Sequence, residues 1–276
     1  MKWLLVFLML PFLSQAQLYD VGIGVGGAVY AGDLSSPSLE AYVRQSHAAG
    51  QISAAYYFSN AYSLRGHLMY SKLSGDDQFG VEDWQVQRDL NFETSLMEVG
   101  VQIEADFGRF FNLPIGISYP YGFIGMTVLH FNPMTYYNGS KIALQPLGTE
   151  GQGMQGYDAK YSLMTTAFNF GLGYKYPVRD YVDLVFSLAW RRTATDYLDD
   201  VSKNYVSREE LSANNGEIAA LLGNKINRET GRVRGGKYSK DWYGVGLISL
   251  RYYLGKDRKR MRRHKPGYTG SCPSKF

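Results

Sequence analysis

The chain has 276 residues, a formal net charge of +4 and a hydrophobic fraction of 45%. Beyond its first 16 residues, no stretch approaches the roughly 20 continuous apolar residues that a membrane-spanning helix needs. Its 23 Tyr and 31 Gly residues are high counts, and in a chain without a spanning helix they favour a β-rich fold. Two such folds have alternating strands, the transmembrane β-barrel and the soluble β-sandwich.

The first 16 residues predict export from the cytoplasm. Lys2 gives a positive start, Trp3 to Leu13 form an apolar run, and Ser14 and Ala16 are the small residues of a cleavage site. The apolar run is too short to cross a bilayer. We therefore expect a signal peptide over residues 1–16, a barrel domain over 17–254 and a tail over 255–276.

The first segment after the signal peptide separates bulky from small residues with a period of two. Val21, Ile23 and Val25 share one face of this strand, whereas Asp20 and a series of glycines share the other. A sandwich core needs bulk on its inner face. A glycine-rich inner face therefore favours the crowded interior of a narrow barrel.

Seven further segments are predicted to be strands. They cover residues 51–58, 61–73, 96–107, 120–131, 162–176, 181–192 and 241–254. The pattern is clearest in 96–107, where Glu98, Glu104 and Asp106 share a face that is costly in a sandwich core and ordinary in a polar lumen. The predicted fold is all-β, an eight-stranded up-and-down antiparallel transmembrane β-barrel.

The connections alternate between short and long, as in outer-membrane barrels. Turns are predicted at 59–60, 108–119 and 177–180, and long loops at 32–47, 74–91, 132–161 and 193–240. We expect the short turns and both chain ends on the periplasmic side. Tyr136 to Gly139 has the composition of a hairpin tip, which leaves a ten-strand count open. In the longest loop, Ser207 and Glu210 match a helix capping box.

A barrel of eight strands has an interior that side chains fill, so we do not expect a solute channel. The polar positions facing the lumen predict ion pairs of Arg65, Lys175 and Arg191 with Glu98, Glu104 and Asp183. No spacing of residues resembles an active site or a metal site, and we expect neither an enzyme nor a cofactor. Asp196, Asp199 and Asp200 are candidates for calcium, but a solvated acidic loop is the favoured interpretation.

The tail concentrates positive charge after the last strand. Residues 255–276 contain eight Lys or Arg and one Asp, which leaves a net charge of −4 for residues 17–254. The tail either lies in solvent near anionic headgroups or docks an acidic periplasmic partner, and docking is favoured. The candidate contact residues are Arg258, Lys259, Arg260, Arg262, Arg263 and Lys265, with Arg109, Phe110 and Phe111 in the 108–119 turn.

Cys272 is the single cysteine, so in an exported protein it indicates an intermolecular disulfide or a free thiol.

Four motifs in order carry a family resemblance. They are GVGGAVYAGDL at 24–34, YSLRGHLMYSKLSGDD at 62–77, DYLDDVS at 196–202 and RGGKYSKDWY at 234–243. In this combination the chain resembles the PorG-like outer-membrane barrels of the type IX secretion system of Bacteroidetes, from the first strand through the tail.

The resemblance implies a structural role in protein secretion, in which the barrel holds a periplasmic ring of a PorK-like lipoprotein and a PorN-like protein at the outer membrane. It further implies that the tail contacts this ring, with a disulfide from Cys272 to the lipoprotein, and it implies no nucleic-acid partner. Homodimerisation through Cys272 stays open. The alternative function is a surface barrel for adhesion or recognition that acts through its long outer loops.

Overall fold

The computed structural model of the protein describes residues 18–35, 38–59, 61–110, 118–236 and 239–254. The expected signal peptide, Phe111 and the whole tail with Cys272 lie outside these residues. No helix in the described part of the chain has the length and apolar character needed to cross a bilayer.

Within the described residues, eight strands close into an antiparallel barrel. They are β1 (Leu18–Ala31), β2 (His47–Tyr57), β3 (Tyr62–Asp76), β4 (Asn91–Asp106), β5 (Tyr119–His130), β8 (Met164–Arg179), β9 (Val182–Thr193) and β10 (Trp242–Leu254). The order is β3-β2-β1-β10-β9-β8-β5-β4, and pairing of β3 with β4 completes the ring. Each barrel strand therefore has two hydrogen-bonded neighbours and no open edge. The predicted eight-stranded barrel is confirmed.

A short hairpin, β6 (Pro133–Tyr137) and β7 (Ser140–Ala143), extends this sheet beyond the barrel. Besides β7, β6 pairs with the outer end of β4, at Glu93 and Thr94, and it takes no part in closure of the barrel. Asn138 and Gly139 both have positive φ, at 49° and 78°, which is the conformation of a type I′ turn. The hairpin tip predicted from the sequence is confirmed, and the ten-strand barrel is not.

The outer surface of the barrel is an apolar belt that suits a lipid bilayer. On β4, Met97, Val99, Val101 and Ile103 all face outward and are about half exposed, whereas the alternate residues are buried. The same alternation occurs on β1, where Val21, Ile23 and Val25 point outward. Such exposure is unusual for large apolar side chains in water and ordinary for a lipid-facing wall.

The barrel has a short-turn end and a long-loop end. Tyr19 pairs with Leu254, so the first and last described strands start and finish at the short-turn end. The turn predicted at 177–180 is shorter than expected, because β8 continues through a bulge to Arg179 and only residues 180–181 connect it to β9.

The connections contain short helices. They are α1 (Leu39–Arg44), α2 (Asp83–Arg88), α3 (Phe107–Phe110), α4 (Arg208–Asn215) and α5 (Glu217–Gly223). Ser207 caps α4, because its hydroxyl accepts a hydrogen bond from the Glu210 amide at 3.2 Å. The carboxylate of Glu210 accepts from the hydroxyl of Tyr157 at 2.7 Å, a contact made across the loops.

Glycines on the inner wall allow neighbouring backbones to approach closely. A Cβ atom at Gly26 would collide with the carbonyl of Gly246, and one at Gly125 would collide with the carbonyl of Val101. A side chain at either position would meet the backbone of the adjacent hydrogen-bonded strand, so both positions require glycine, and larger side chains from other strands fill the lumen.

Candidate functional site: the lumen and the loop cap

Glu104 is the centre of the ion-pair network at the short-turn half of the lumen. One carboxylate oxygen accepts from Arg65 Nε at 2.8 Å, and the other accepts from Arg251 Nη1 at 2.8 Å. Lys175 Nζ lies 3.4 Å from the same carboxylate. All four side chains are buried, so their charges are compensated by one another instead of by water.

Three more carboxylates complete this layer. Asp20 receives both terminal nitrogens of Arg65, at 2.8 and 2.7 Å, in a bidentate pair. Asp106 accepts from Lys175 at 2.5 Å. Asp183 accepts a hydrogen bond from the hydroxyl of Tyr253 at 2.8 Å.

A second network, nearer the long-loop end, surrounds Glu98. Arg191 Nε donates to it at 3.0 Å, His67 Nε2 lies 2.9 Å away, and the Tyr243 hydroxyl donates to its second oxygen at 2.5 Å. Beyond this network the barrel interior is mainly apolar with some buried hydroxyl groups, and Leu73 and Leu96 are completely buried. The interior is thus filled by side chains along its length, which fixes strand register and leaves no obvious route for a solute.

The long outer connections pack together into a loop cap, which we define as residues 32–35, 77–90, 144–161 and 194–241 where they are described. Arg88 joins three of these segments. It pairs with Asp77 at 2.7 Å and donates to the backbone carbonyls of Asp33 at 2.9 Å and Arg234 at 2.6 Å. A guanidinium with five donors is well suited to joining loops that lack a shared backbone ladder.

Arg234 is the second buried cation of the cap. Its Nη1 donates to Glu150 at 2.9 Å and to the carbonyl of Asp200 at 2.7 Å. The same Glu150 carboxylate accepts from the amides of Ser202 and Lys203, at 3.0 and 3.1 Å. This pair fixes the first part of the longest loop against residues 149–152.

Tyr30, at the outer end of β1, contacts both ends of the longest loop. Its hydroxyl lies 2.7 Å from Asp199 Oδ2 and 2.7 Å from Asp241 Oδ1. The remaining oxygens of the two carboxyl groups accept from the amides of Val201 and Leu198. A hydroxyl has one proton to donate. The second contact is therefore a hydrogen bond only if one of the two carboxyl groups is protonated and donates to the tyrosine.

The environment of the cap favours this protonation. Among the described residues, the buried acidic and basic side chains of the cap are six carboxyl groups and two guanidinium groups: Asp77, Glu150, Asp196, Asp199, Asp200 and Asp241, with Arg88 and Arg234. Burial raises the pKa of Asp241 to about 8, and it raises the pKa of Asp199 well above its usual range, helped by the neighbouring Asp241. Burial also raises the pKa of Asp196 and of Asp200 to about 6, although Arg234 opposes the shift of Asp200.

The interpretation of Asp196, Asp199 and Asp200 as a solvated acidic loop is wrong, because all three are buried and hydrogen-bonded. In the described residues, no group of three or more His, Cys, Asp or Glu side chains is arranged to hold a metal ion.

The predicted contact residues for a partner are only partly described. Arg109 and Phe110 lie in α3, at the short-turn end of the barrel. Phe111 and the tail residues lie outside the described part of the chain.

Several residues of these networks were missed by sequence reasoning. Arg251 and Tyr243 lie on β10, whose facing was ambiguous in the sequence because aromatic residues occur on both faces. The register supplies the missing signal, since Arg251 lies opposite Asp183 and Gly22, two positions assigned to the lumen. Arg88 carried no signal, because it ends a helix of only six residues within a long loop.

Comparison with known proteins gives a family and a set of similar barrels. The family model DUF6089, described as a domain of unknown function, matches residues 1–145. No curated protein matches the sequence. Similar solved structures include Ail, the attachment invasion locus protein of Yersinia pestis, with 9% identity, a TM-score of 0.42, and coverage of 87% of this chain and 100% of Ail.

Two other similar structures are a major outer membrane protein from Thermus thermophilus and OprG from Pseudomonas aeruginosa. The first has 12% identity and a TM-score of 0.42, and covers 87% of this chain and 100% of its own. The second has 9% identity and a TM-score of 0.42, and the match covers 87% of this chain and 97% of OprG. Similarity at this level transfers no function to the present chain.

Proposed function

The chain belongs to the DUF6089 family, and from that premise we propose that it is a non-enzymatic outer-membrane component of the type IX protein secretion machinery. In this role it anchors a periplasmic lipoprotein ring, formed by a PorK-like lipoprotein and a PorN-like protein, to the outer membrane. The observation that carries the proposal is the filled lumen. A barrel whose interior is closed by paired charges and apolar side chains has its loops, turns and tail as working surfaces.

The four motifs behind the resemblance support the proposal further, because they meet in the folded chain. Tyr30 of the first motif contacts Asp199 of the third and Asp241 of the fourth. Asp33 of the first accepts from the Gly236 amide of the fourth at 2.6 Å, and Gly75 of the second lies so close to Leu34 of the first that a Cβ there would collide with its carbonyl. They therefore belong to one structural feature, which makes their joint occurrence more specific than four separate short matches.

The docking surface in this proposal is the short-turn end of the barrel together with the tail. Leu254 lies at that end, and the strongly basic segment 255–276 follows it directly in sequence. Phe58 in the β2–β3 turn is 53% exposed there and stacks on Tyr62. Exposed aromatic residues and arginine are both enriched at protein interfaces.

Co-purification tests the proposal. The tagged full-length protein is isolated from detergent-solubilised outer membranes, and its partners are identified by mass spectrometry after a non-reducing gel. We expect a periplasmic lipoprotein to co-purify, with a higher band that disappears on reduction and in Cys272→Ser. Recovery of the lipoprotein without that band would retain the anchor and remove the disulfide.

Charge variants test the contribution of the tail. Arg262→Gln/Arg263→Gln should reduce recovery of the ring and secretion of cargo, because it lowers electrostatic attraction at the tail. The matched control Arg228→Gln/Arg232→Gln removes two exposed charges from the outer loop and should change neither. The proposal would be contradicted if deletion of residues 255–276 reduced neither the recovery of ring proteins nor secretion.

A second candidate function, surface recognition through the outer loops, is favoured by one observation. Val81, Trp84 and Val86 in and beside α2 are each about half exposed or more, although they lie beyond the polar outer end of β3. Trp84→Ala would then abolish surface binding and leave secretion intact.

A further inference from the structure

The lipid-facing wall of the barrel contains a groove along β2. Its volume is about 380 Å³, and its apolar walls are formed by Ile23, Val25, Ile52, Leu68, Tyr70 and Met97. These six side chains are 44–65% exposed and extend outward on both sides of the groove. The groove lies in the part of the belt that is nearer to the long-loop end.

A glycine on the outward face of the sheet opens the groove between its apolar walls, and further small outward residues lie around it. Gly50 is in its floor, and the outward positions beside it on β2 include Ala48 and Ala54, with Gly27 and Gly66 on the adjacent strands. A Cβ added at Gly50 would meet no heavy atom of the described residues within 4 Å, and one at Gly27 would make only an ordinary contact at 3.7 Å.

The inward glycines are required by the close backbone around them, whereas the outward glycines are not. Gly26 and Gly125 face close backbone neighbours, so a side chain is excluded at both positions. Gly27, Gly50 and Gly66 have neither such a neighbour nor a positive φ, so the fold itself accepts a larger residue there. What their small size does provide is open space on the lipid-facing side.

A pair of lysines lies beyond the outer end of the groove. On β3, Lys72 follows Tyr70 on the same face, about 7 Å further along the strand. Lys72 and Lys141 both donate to the same oxygen of Glu93, at 3.0 and 2.8 Å, and both are about 40% exposed. Two cations around one carboxylate leave a positive charge at the depth where the apolar belt ends.

We propose that the groove binds an acyl chain of an outer-leaflet lipid, with the phosphate of its headgroup against Lys72 and Lys141. Apolar surfaces gain little from contact with each other inside a bilayer, so selective binding there depends on close packing and polar contacts. The groove offers a surface into which one flexible chain packs, and the lysines offer an anion site at headgroup depth. This lysine pair favours a phosphorylated lipid over a second copy of the barrel, whose belt is neutral.

Native mass spectrometry of the full-length protein tests this site. The protein is incubated with an equal mixture of dioleoylphosphatidylglycerol and dioleoylphosphatidylcholine, and the lipids retained after mild activation are counted. The wild type should retain one lipid, with phosphatidylglycerol preferred. Gly50→Val, a substitution that a strand accepts and that fills the groove, should lose this lipid.

Two further variants separate shape from charge. Lys72→Gln/Lys141→Gln keeps the groove and should reduce the preference for phosphatidylglycerol by at least about fivefold. Gly244→Val is the matched control, because Gly244 also faces outward, lies away from the groove and would place its Cβ 3.4 Å from Val29. It should retain lipid as the wild type does.

Three results would overturn the proposal. They are equal lipid retention by the wild type and Gly50→Val, an unchanged headgroup preference in the lysine variant, and a dimer mass in place of a lipid adduct. The lysine variant keeps the test valid if Gly50→Val fails to fold, since its substitutions lie on the surface.

Discussion

The lumen and the loop cap are both buried and polar, but they solve the problem of buried charge differently. In the lumen, carboxylates on one strand face guanidinium or ammonium groups on another, as when Glu104 receives Arg65, Arg251 and Lys175. In the cap, six buried carboxyl groups share two guanidinium groups, and Tyr30 lies between two of the acids. Ion pairs between opposite charges stabilise the lumen, whereas part of the cap depends on a proton shared between Tyr30 and the two carboxyl groups.

This difference follows from how each region is built. Strands present side chains at fixed intervals, so a cation on one strand has a defined neighbour on the next. Loops have no such ladder, and their acids are used locally to accept from backbone amides, as Asp199 does from Val201. Net charge then accumulates, and protonation relieves it. We therefore expect the lumen to depend on its individual partners and the cap to depend on pH.

Glu104→Gln should have the largest effect. It removes the charge that compensates three buried cations, and breaking such a buried pair typically costs about 3–5 kcal/mol of the free energy of unfolding. Urea unfolding in detergent micelles, followed by tyrosine and tryptophan fluorescence, measures the loss. Glu93→Gln is the control, since Glu93 also binds two lysines but lies at the surface, and it should cost no more than about 1 kcal/mol. Equal losses of unfolding free energy in Glu104→Gln and Glu93→Gln would contradict the distinction between the buried and the exposed carboxylate.

Arg234→Met should have the next largest effect, confined to the cap. Glu150 and Asp200 would lose their buried cation, at an expected cost of about 2–4 kcal/mol for opening of the longest loop. Rates of proteolysis within residues 194–241, compared with the barrel band on the same gel, report this opening. Arg232→Met changes an exposed arginine of the same loop and should leave the rate unchanged.

Raising the pH should loosen the cap without affecting the barrel. The pKa of Asp241 in the closed cap, about 8, lies above the ordinary carboxyl value, so closure binds a proton that the open loop releases. The stabilisation is complete below about pH 4 and is lost as the pH rises through 8, with opening increasing at least about tenfold per pH unit in between, because burial raises the pKa of Asp199 as well. Asp196 and Asp200, with pKa values of about 6, add to the slope between pH 4 and 6.

Hydrogen exchange of residues 194–241, corrected for the intrinsic pH dependence of exchange, measures this effect. Asp241→Asn is the sharpest variant, because its amide nitrogen donates to Tyr30 without a proton from solvent. Its cap should stay protected at pH 9. If Asp241→Asn opened as readily as the wild type at that pH, the shared proton would not be what holds the loop ends.

Glu40→Gln should have the smallest effect. Glu40 and Arg44 form an i,i+4 pair in α1 at 2.9 Å, with side chains 73% and 60% exposed. Exposed pairs of this kind contribute about 0.3–0.5 kcal/mol, and salt screens them. Thermal unfolding at low and high salt should show a shift near the limit of detection, in contrast to Glu104→Gln.

Most of the barrel was predictable because a strand repeats every two residues. Neighbouring residues differ in character according to the side they face: Val21 and Val99 face the lipid, whereas Gly22 and Glu98 face the lumen. The observed strands differ from the predicted ones mainly at their ends, since β4 begins at Asn91 instead of residue 96. This extension projects beyond the apolar belt, where outward positions are polar and the alternation that marks a lipid-facing strand is lost.

The cap was not predictable in the same way. Tyr30 meets partners that lie 169 and 211 residues away in sequence, and their meeting depends on the path of an irregular loop. Three neighbouring acids in a hydrophilic segment look like a solvated surface. Only folding shows that Asp199 and Asp200 face inward, where Tyr30, Thr149 and Tyr161 bind them.

The pairing of β1 with β10 has a consequence for biogenesis. Tyr19 meets Leu254, so the ring cannot close until nearly the whole chain is available, and every shorter intermediate exposes two unpaired strand edges. Such edges and the apolar belt would aggregate in water. We therefore expect the ring to close only at the membrane, with the last strand completing it against the first.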